Sequence, residues 1–414
     1  MQFYEESKLD NVVANEFEGL ARGFEDRFGD APKFIFEAPG RSELGGNHTD
    51  HQHGHVLACA VDLKISAAVS PNNGSRVNLY SVGYDPIEVN LASLGPEESE
   101  VGTSASLIRG IAAKMCALGA LPTNSSGFDA YVASNVPEGS GLSSSAAFEV
   151  LIGTIFNVLF CNGCFSSLDI AKIGQYAENA YFGKPCGLMD QAASAIGGVV
   201  SIDFHDATDP KVKKIDFDFE EHGYALCMID SHASHADLTE EYASITTDMR
   251  NVATYFGCDV LSEVPEDELV KALPEIRSLF GDRAILRAMH FYADDKRAMD
   301  EADALEKGDI ACFLSLVRES GVSSAMFLQN IYPTGATSDQ SLMLTIALAE
   351  RLLRGRGAVR VHGGGFGGTA QAYVPLDMLE DFKLSIEGSL GNGSCHVLRI
   401  CPDGATFMEL GDAE

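Results

Sequence analysis

Three stretches carry residue types at spacings suited to phosphate chemistry. In NVPEGSGLSSSAAFEV (135–150), Gly139 and Gly141 permit tight turns, and Ser143, Ser144 and Ser145 then open a helix. The first N–H groups of a helix have no partner within it, and its dipole favours negative charge there. The stretch therefore suits a polyphosphate, and the serine hydroxyls can add hydrogen bonds or a magnesium contact. In AENAYFGKPCGLMDQ (177–191), Glu178 and Asp190 supply carboxylates. Mg²⁺ is typically held by one or two carboxylates or hydroxyls beside phosphate oxygens, which suits Glu178. Asp190, at the head of a helix, reads either as a capping residue or as a general base for a hydroxyl nucleophile. In HGGGFGG (362–368), Gly363, Gly365 and Gly368 spell G-x-G-x-x-G, but a strand follows where a dinucleotide fold needs a helix. A glycine loop between strands instead lets backbone approach a ligand or another loop closely.

A fourth stretch, APGRSELGGNHTDHQHGHV (38–56), places His48, His51, His53 and His55 beside Arg41 and Asp50. These histidines have no familiar metal-ligand spacing. Zinc also draws ligands from elsewhere, and HASH (232–235) is the only other histidine pair at close spacing. A turn or domain-interface role is expected for His51, His53 and His55.

The elements that must position these groups alternate along the chain. Strands are predicted over 33–37, 62–70, 76–82, 128–137, 224–231, 358–364 and 369–375. Helices are predicted over 104–120, 143–160, 169–183, 186–198, 238–256, 284–306 and 308–319, from apolar spacing and the Gly, Ser and Pro that bound them. The class is α+β or mixed α/β in two domains, 1–203 and 204–414, the boundary lying where Gly- and Ser-rich motifs give way to helix-rich sequence. The chain has 414 residues, 45% of them hydrophobic, enough to bury a sizeable core.

The net charge of −31 argues against nucleic acid, where Lys and Arg must replace counterions, and disfavours an anionic membrane. No run of about 18 apolar residues is present. The N-terminal MQFYEESKLD has neither the basic nor the apolar region of a signal peptide. Of ten cysteines, only Cys161 and Cys164 form a C-x-x-C, so reduced thiols in a cytoplasmic protein are expected.

Taken in order, APGRSELGGNHTDH, PEGSGLSSSAA, CGLMDQ and VRVHGGGFGGTA resemble the galactokinases, within the GHMP kinase superfamily, over about residues 20 to 400. The resemblance implies an N-terminal domain like ribosomal protein S5 domain 2 and a ferredoxin-like C-terminal domain, with the glycine loop closing over a site between them. It implies ATP as co-substrate and phosphoryl transfer to the anomeric hydroxyl of galactose. Gly139, Gly141, Ser143 and Ser144 would cradle the phosphates, and Ser145 and Glu178 would hold Mg²⁺. Asp190 would be the base, with Arg41 as its partner. Asn47, His48, Asp50 and Tyr242 would contact the sugar. The enzyme would be a monomer or a weak homodimer.

Two places depart from the family pattern. The family motif reads Arg-Val-Asn-Leu-Ile-Gly-Glu-His-Thr-Asp-Tyr, whereas this chain reads from Arg41 as RSELGGNHTDH, with Asn47 in place of the glutamate. An amide both donates and accepts, where a carboxylate only accepts, so a sugar altered at C6 is an alternative substrate. The segment SSAMFLQNIYPTGATSDQ (323–340) also lacks the usual acidic pair. A sugar altered at C2, and a sensor that binds sugar and ATP without turnover, are the remaining alternatives.

Overall fold

A computed structural model describes residues 6–122, 125–136, 141–184, 186–206, 208–233 and 238–411. The first half of the chain folds as α1 (Glu6–Phe28), β1 (Phe34–Gly45), β2 (His55–Pro71), β3 (Arg76–Ser81), β4 (Ile87–Asn90), α2 (Ser104–Ala117), β5 (Phe128–Ser134), α3 (Ser144–Phe160), α4 (Ser167–Ala177), α5 (Met189–Ile196), β6 (Val199–Asp203) and β7 (Lys211–Ile215). The second half comprises β8 (Tyr224–Asp230), α6 (Thr239–Tyr255), α7 (Glu266–Glu306), α8 (Ile310–Ser323), α9 (Ser341–Leu353), β9 (Ala358–Val361), β10 (Thr369–Pro375), α10 (Leu379–Leu390), β11 (Cys395–Leu398) and β12 (Thr406–Glu409).

The long strands β1 and β2 organise the first sheet, whose order is β12-β1-β2-β5-β3-β4, with β6 also pairing β2 and β7 pairing β6. The β1–β2 register shifts between Pro39 and Arg41 and again between Glu43 and Gly45. Bulges of this kind re-aim side chains beside active sites. Here they fall on the first motif, which is strand through Gly45 rather than a loop after residue 37. Helix α3 packs against β1 and β2, with α5 beside it. On the opposite face, Leu20 and Phe24 of α1 cluster with Ile35 and Ala68.

The second sheet is antiparallel, in the order β11-β8-β10-β9. One strand with its helical connection on each side of the β9–β10 hairpin, in this strand order, makes the ferredoxin-like arrangement. One face is covered by α9 and α10 through Leu342, Leu353, Phe382 and Ile386. Leu226, Met228 and Tyr373 from its other face join the same apolar cluster as Phe36, Leu57 and Ile155 of the first unit. The two sheets thus share a core.

Pairing of β7 with β6, and of β12 with β1, places residues beyond 203 in the first sheet. The first sheet thus takes in chain on both sides of residue 203, as far as Ile215 and again from Thr406. The helix expected at 284–306 begins at Glu266 and is broken at Gly281 (φ 81°). The helix expected to run to 183 ends at Ala177 and continues as a π-turn over Glu178–Phe182. By length and composition one stretch, 310–328, could cross a membrane; Phe313, Leu314 and Val317 of this stretch lie in the shared core.

Candidate active site

The head of α3, the bulged end of β1 and the head of α5 meet at one point. Arg41 donates to Asp190 through both arms of its guanidinium, Nε to Oδ1 at 2.6 Å and Nη2 to Oδ2 at 2.7 Å. Its third arm donates to the carbonyl of Gly141, and its backbone N–H to the carbonyl of Leu142 at 3.0 Å. The phosphate-type loop is thereby tied to the first motif. Ser143, the residue before α3, has φ 58° and makes no capping bond. Its hydroxyl donates instead to Asp190 Oδ2 at 2.5 Å. Burial works against charge on Asp190, but Arg41 and Ser143 outweigh it and hold the carboxyl below the ordinary aspartate range. Asp190 is therefore a carboxylate at neutral pH, oriented by three charge-assisted hydrogen bonds.

Glu178 lies beneath this point at 3% exposure, on the π-turn. Gln191, the neighbour of Asp190, donates from one nitrogen to Glu178 Oε2 and to Glu149 Oε2, each at 2.9 Å. Lys184 reaches the other oxygen of Glu178 at 3.6 Å. Glu149 is fully buried, and burial together with the charge of Glu178 pushes its carboxyl well up. Glu149 Oε1 and Gln191 Oε1 have no hydrogen-bond partner. Ser145 sits one helical turn before Glu149, so the two share a face of α3. The Glu178 carboxylate and the Ser145 hydroxyl are hard oxygen donors of the kind that fits Mg²⁺.

The glycine loop between β9 and β10 folds over the first motif, and its carbonyls are gripped in succession. Gly363 accepts from Asn47 Nδ2 at 2.7 Å, and Gly364 from His48 Nε2 at 3.0 Å and Asn330 Nδ2 at 3.1 Å. Gly365 accepts from the Tyr242 hydroxyl at 3.0 Å. At Gly364 a Cβ would lie 2.3 Å from the Tyr242 ring, and at Gly365 2.1 Å from the Asn330 carbonyl, so neither position has room for a side chain. His362, at the root of the loop, is buried. It accepts from the backbone N–H of Glu43 at 3.4 Å and contacts Thr369 Oγ1 at 3.0 Å, and burial keeps its ring neutral.

The galactokinase galactose-binding signature matches residues 22–71, and the GHMP kinases N-terminal domain matches residues 106–198. Galactokinase from Lacticaseibacillus casei is 32% identical over 365 residues, covering 88% of this chain and 91% of its own. Galactokinase from Streptomyces coelicolor is 32% identical over 381 residues, covering 91% and 94%. The chain belongs to the galactokinase family. Among solved structures, Lactococcus lactis galactokinase complexed with galactose matches with a TM-score of 0.79 at 24% identity, over 94% of this chain and 99% of that one. A mevalonate kinase matches at 0.64 and 16% identity, over 89% and 99%. These likenesses agree with the GHMP kinase fold expected from the motifs.

Set against the galactokinase expectations, Arg41, Gly141, Ser143 and Asp190 converge. Ser144 and Ser145 open α3 as expected, and Gly139 lies outside the described residues. Asp50 is half-buried, packed where a Cβ on Gly187 would come within 2.4 Å of its carboxylate. His48 and Tyr242 meet the glycine loop. Burial pushes the His48 ring down to about 4, so it is neutral at pH 7.

Asn47, expected on the sugar side, is engaged within the protein. It is fully buried, and its amide nitrogen donates to Glu43 Oε1 at 3.1 Å as well as to Gly363. Its amide oxygen accepts from Asn330 at 2.9 Å. The family motif's asparagine and glutamate have traded places in this chain, as Glu43 and Asn47, which are hydrogen-bonded to each other. Glu149, Gln191 and Glu43 were not singled out from sequence. The available signal was a lone charge inside the apolar helix SSAAFEVLIGTIF.

Of the other histidines, His55 joins β2 to α7. Its ring lies 3.0 Å from Asp295 and 3.6 Å from Asp203. His51 is exposed, and His53 adopts φ 57° at the end of a 3₁₀ turn. Both fit the expected turn role. Among the described residues no group of His, Cys, Asp or Glu is arranged to hold a metal as a cluster.

Proposed function

We propose that this galactokinase-family enzyme transfers the γ-phosphoryl group of ATP to the anomeric hydroxyl of galactose, giving galactose 1-phosphate and ADP. The bidentate Arg41–Asp190 pair at the head of the phosphate-binding helix is the observation that carries the mechanism. Asp190 accepts the proton of the anomeric hydroxyl as that oxygen bonds to phosphorus and the bond to ADP breaks. Arg41 holds Asp190 in place and stabilises the charge developing on the sugar oxygen. Backbone N–H groups and the serine hydroxyls at the start of α3 receive the phosphates.

Glu178 and Ser145 are placed as the Mg²⁺ ligands on the strength of their oxygen donors, and Mg²⁺ neutralises phosphate charge when bound. Asp50, His48 and Tyr242 are proposed on the sugar side, next to the glycine loop. The ten free cysteines support a cytoplasmic setting, and a monomer or weak homodimer remains the expected state.

The test is ADP release with Mg-ATP across galactose, 2-deoxygalactose, N-acetylgalactosamine, fucose, arabinose, galacturonic acid and glucose. Galactose should be turned over, and Asp190→Asn should lower kcat by about 10²- to 10⁴-fold, the worth of a general base, while ATP still binds. Near-normal turnover by that variant would remove Asp190 as the base. Turnover on another sugar alone would replace the substrate. Binding of sugar and ATP with no ADP released would leave a sensor.

A further inference from the structure

Asn47 bonds to several distant segments of the chain. Its backbone N–H donates to Asp294 Oδ2 at 2.8 Å and its carbonyl meets His290 Nε2 at 3.0 Å, both on α7. Its side chain donates to Glu43 on β1 and to Gly363 of the glycine loop, and accepts from Asn330. Glu43 is in turn bonded to Arg360 of β9, the strand that feeds the glycine loop, and Arg360 Nη1 donates back to the Leu44 carbonyl at 2.9 Å. All of these side chains are buried. An amide is the group that can satisfy a carboxylate, a carbonyl and a donor at once.

We infer that Asn47, paired with Glu43, is a positioning residue that holds the glycine loop closed over the sugar motif, setting sugar affinity without itself touching the sugar. The inference rests on the galactokinase reading only for its kinetic consequence. The closed loop is the binding-competent state, and apparent affinity falls with the fraction of molecules that hold it.

The test exchanges the two polar groups at constant shape and charge. Asn47→Asp alone sets two carboxylates against each other and removes the donor to Gly363. Combining it with Glu43→Gln restores an amide–carboxylate pair in the reverse sense, but still leaves Gly363 without its donor. The double variant also takes the carboxylate from Arg360 and should melt below wild type, and its amides at 364–367 should exchange faster in the free protein. Its KM for galactose should rise about five- to tenfold, the worth of one buried hydrogen bond, with KM for ATP unchanged.

Asn330→Ser removes the donor that serves both Gly364 and the Asn47 amide oxygen, with the Asn47 side chain itself unchanged, and should give the same pattern. It therefore serves if the double variant does not fold. Wild-type amide exchange and wild-type galactose KM in both variants would overturn the inference. If wild type itself fails to turn over galactose, the functional reading falls, and the amide exchange still decides whether Asn47 holds the loop.

Discussion

At the scale of single residues, the decisive choice is what Ser143 does with its hydroxyl. A serine before a helix ordinarily caps it, bonding an N–H two or three residues on. Ser143 has left-handed backbone angles instead, and its hydroxyl turns to Asp190. The first turn of α3 is left without a serine cap, and Asp190 gains a third donor. Ser143→Ala should therefore lower kcat about tenfold or more, the worth of one charge-assisted hydrogen bond. It should also move the acidic limb of the kcat/KM profile to higher pH, because a group that favours the carboxylate has gone. A profile with an unmoved acidic limb would confine Ser143 to phosphate binding.

Elements explain the glycines. Gly45 and Gly46 are neighbours for different reasons. A Cβ on Gly45 would lie 1.7 Å from the buried carboxylate of Glu301, whereas Gly46 has φ 81° and faces the His55 carbonyl. Gly45 thus serves the packing of β1 against α7, and Gly46 the close approach of the motif to the start of β2. The β9–β10 loop is similarly constrained. Gly365 combines φ 83° with contact against Asn330. Gly365→Ala should cost at least about 1–2 kcal/mol for the left-handed backbone alone. It should also displace the loop from Tyr242 and Asn330, read as a lower Tm together with a lower kcat/KM for galactose. Wild-type values for both would mean that the loop tolerates the opening.

At the scale of the whole molecule, the two units are joined by shared apolar packing and by specific polar clasps, of which His55 is one. The hydrogen bond to Asp295 raises the pKa of His55 above the ordinary histidine value, against burial, and Asp203 adds to it. A group whose folded pKa is raised stabilises fully below its unfolded value of about 6.5, and that contribution is lost as pH rises through the folded value. The Tm difference between wild type and His55→Gln should therefore be largest near about pH 6 and shrink toward about pH 8. A difference independent of pH would reduce His55 to packing. The C-terminal strand makes a second join. β12 covers the free edge of β1, and Phe407 stacks on Phe36 at 5.7 Å. Ending the chain before Thr406 should expose that edge, lowering Tm and promoting aggregation; an unaltered, monodisperse variant would show the edge to be protected by other means.

Local chemistry wrote much of this into the chain. Glycines and serines before an apolar helix mark Gly141 and Ser143 as a phosphate-type loop, because backbone N–H groups at a helix start act in the same way wherever they occur; that Asp190 and Arg41 belong with them is implied by the family resemblance, since the acid alone reads equally as a cap. Period and punctuation located most central strands and helices within a few residues. Three things depended on the folded molecule. β12 joins a sheet begun some 370 residues earlier, and its short segment carries no trace of its partner. Glu149 is set apart from any surface glutamate only by burial against Glu178. The partners of Asn47 are a third: a buried amide must find partners for both ends, and these, Gly363 and Asn330, come from distant parts of the chain.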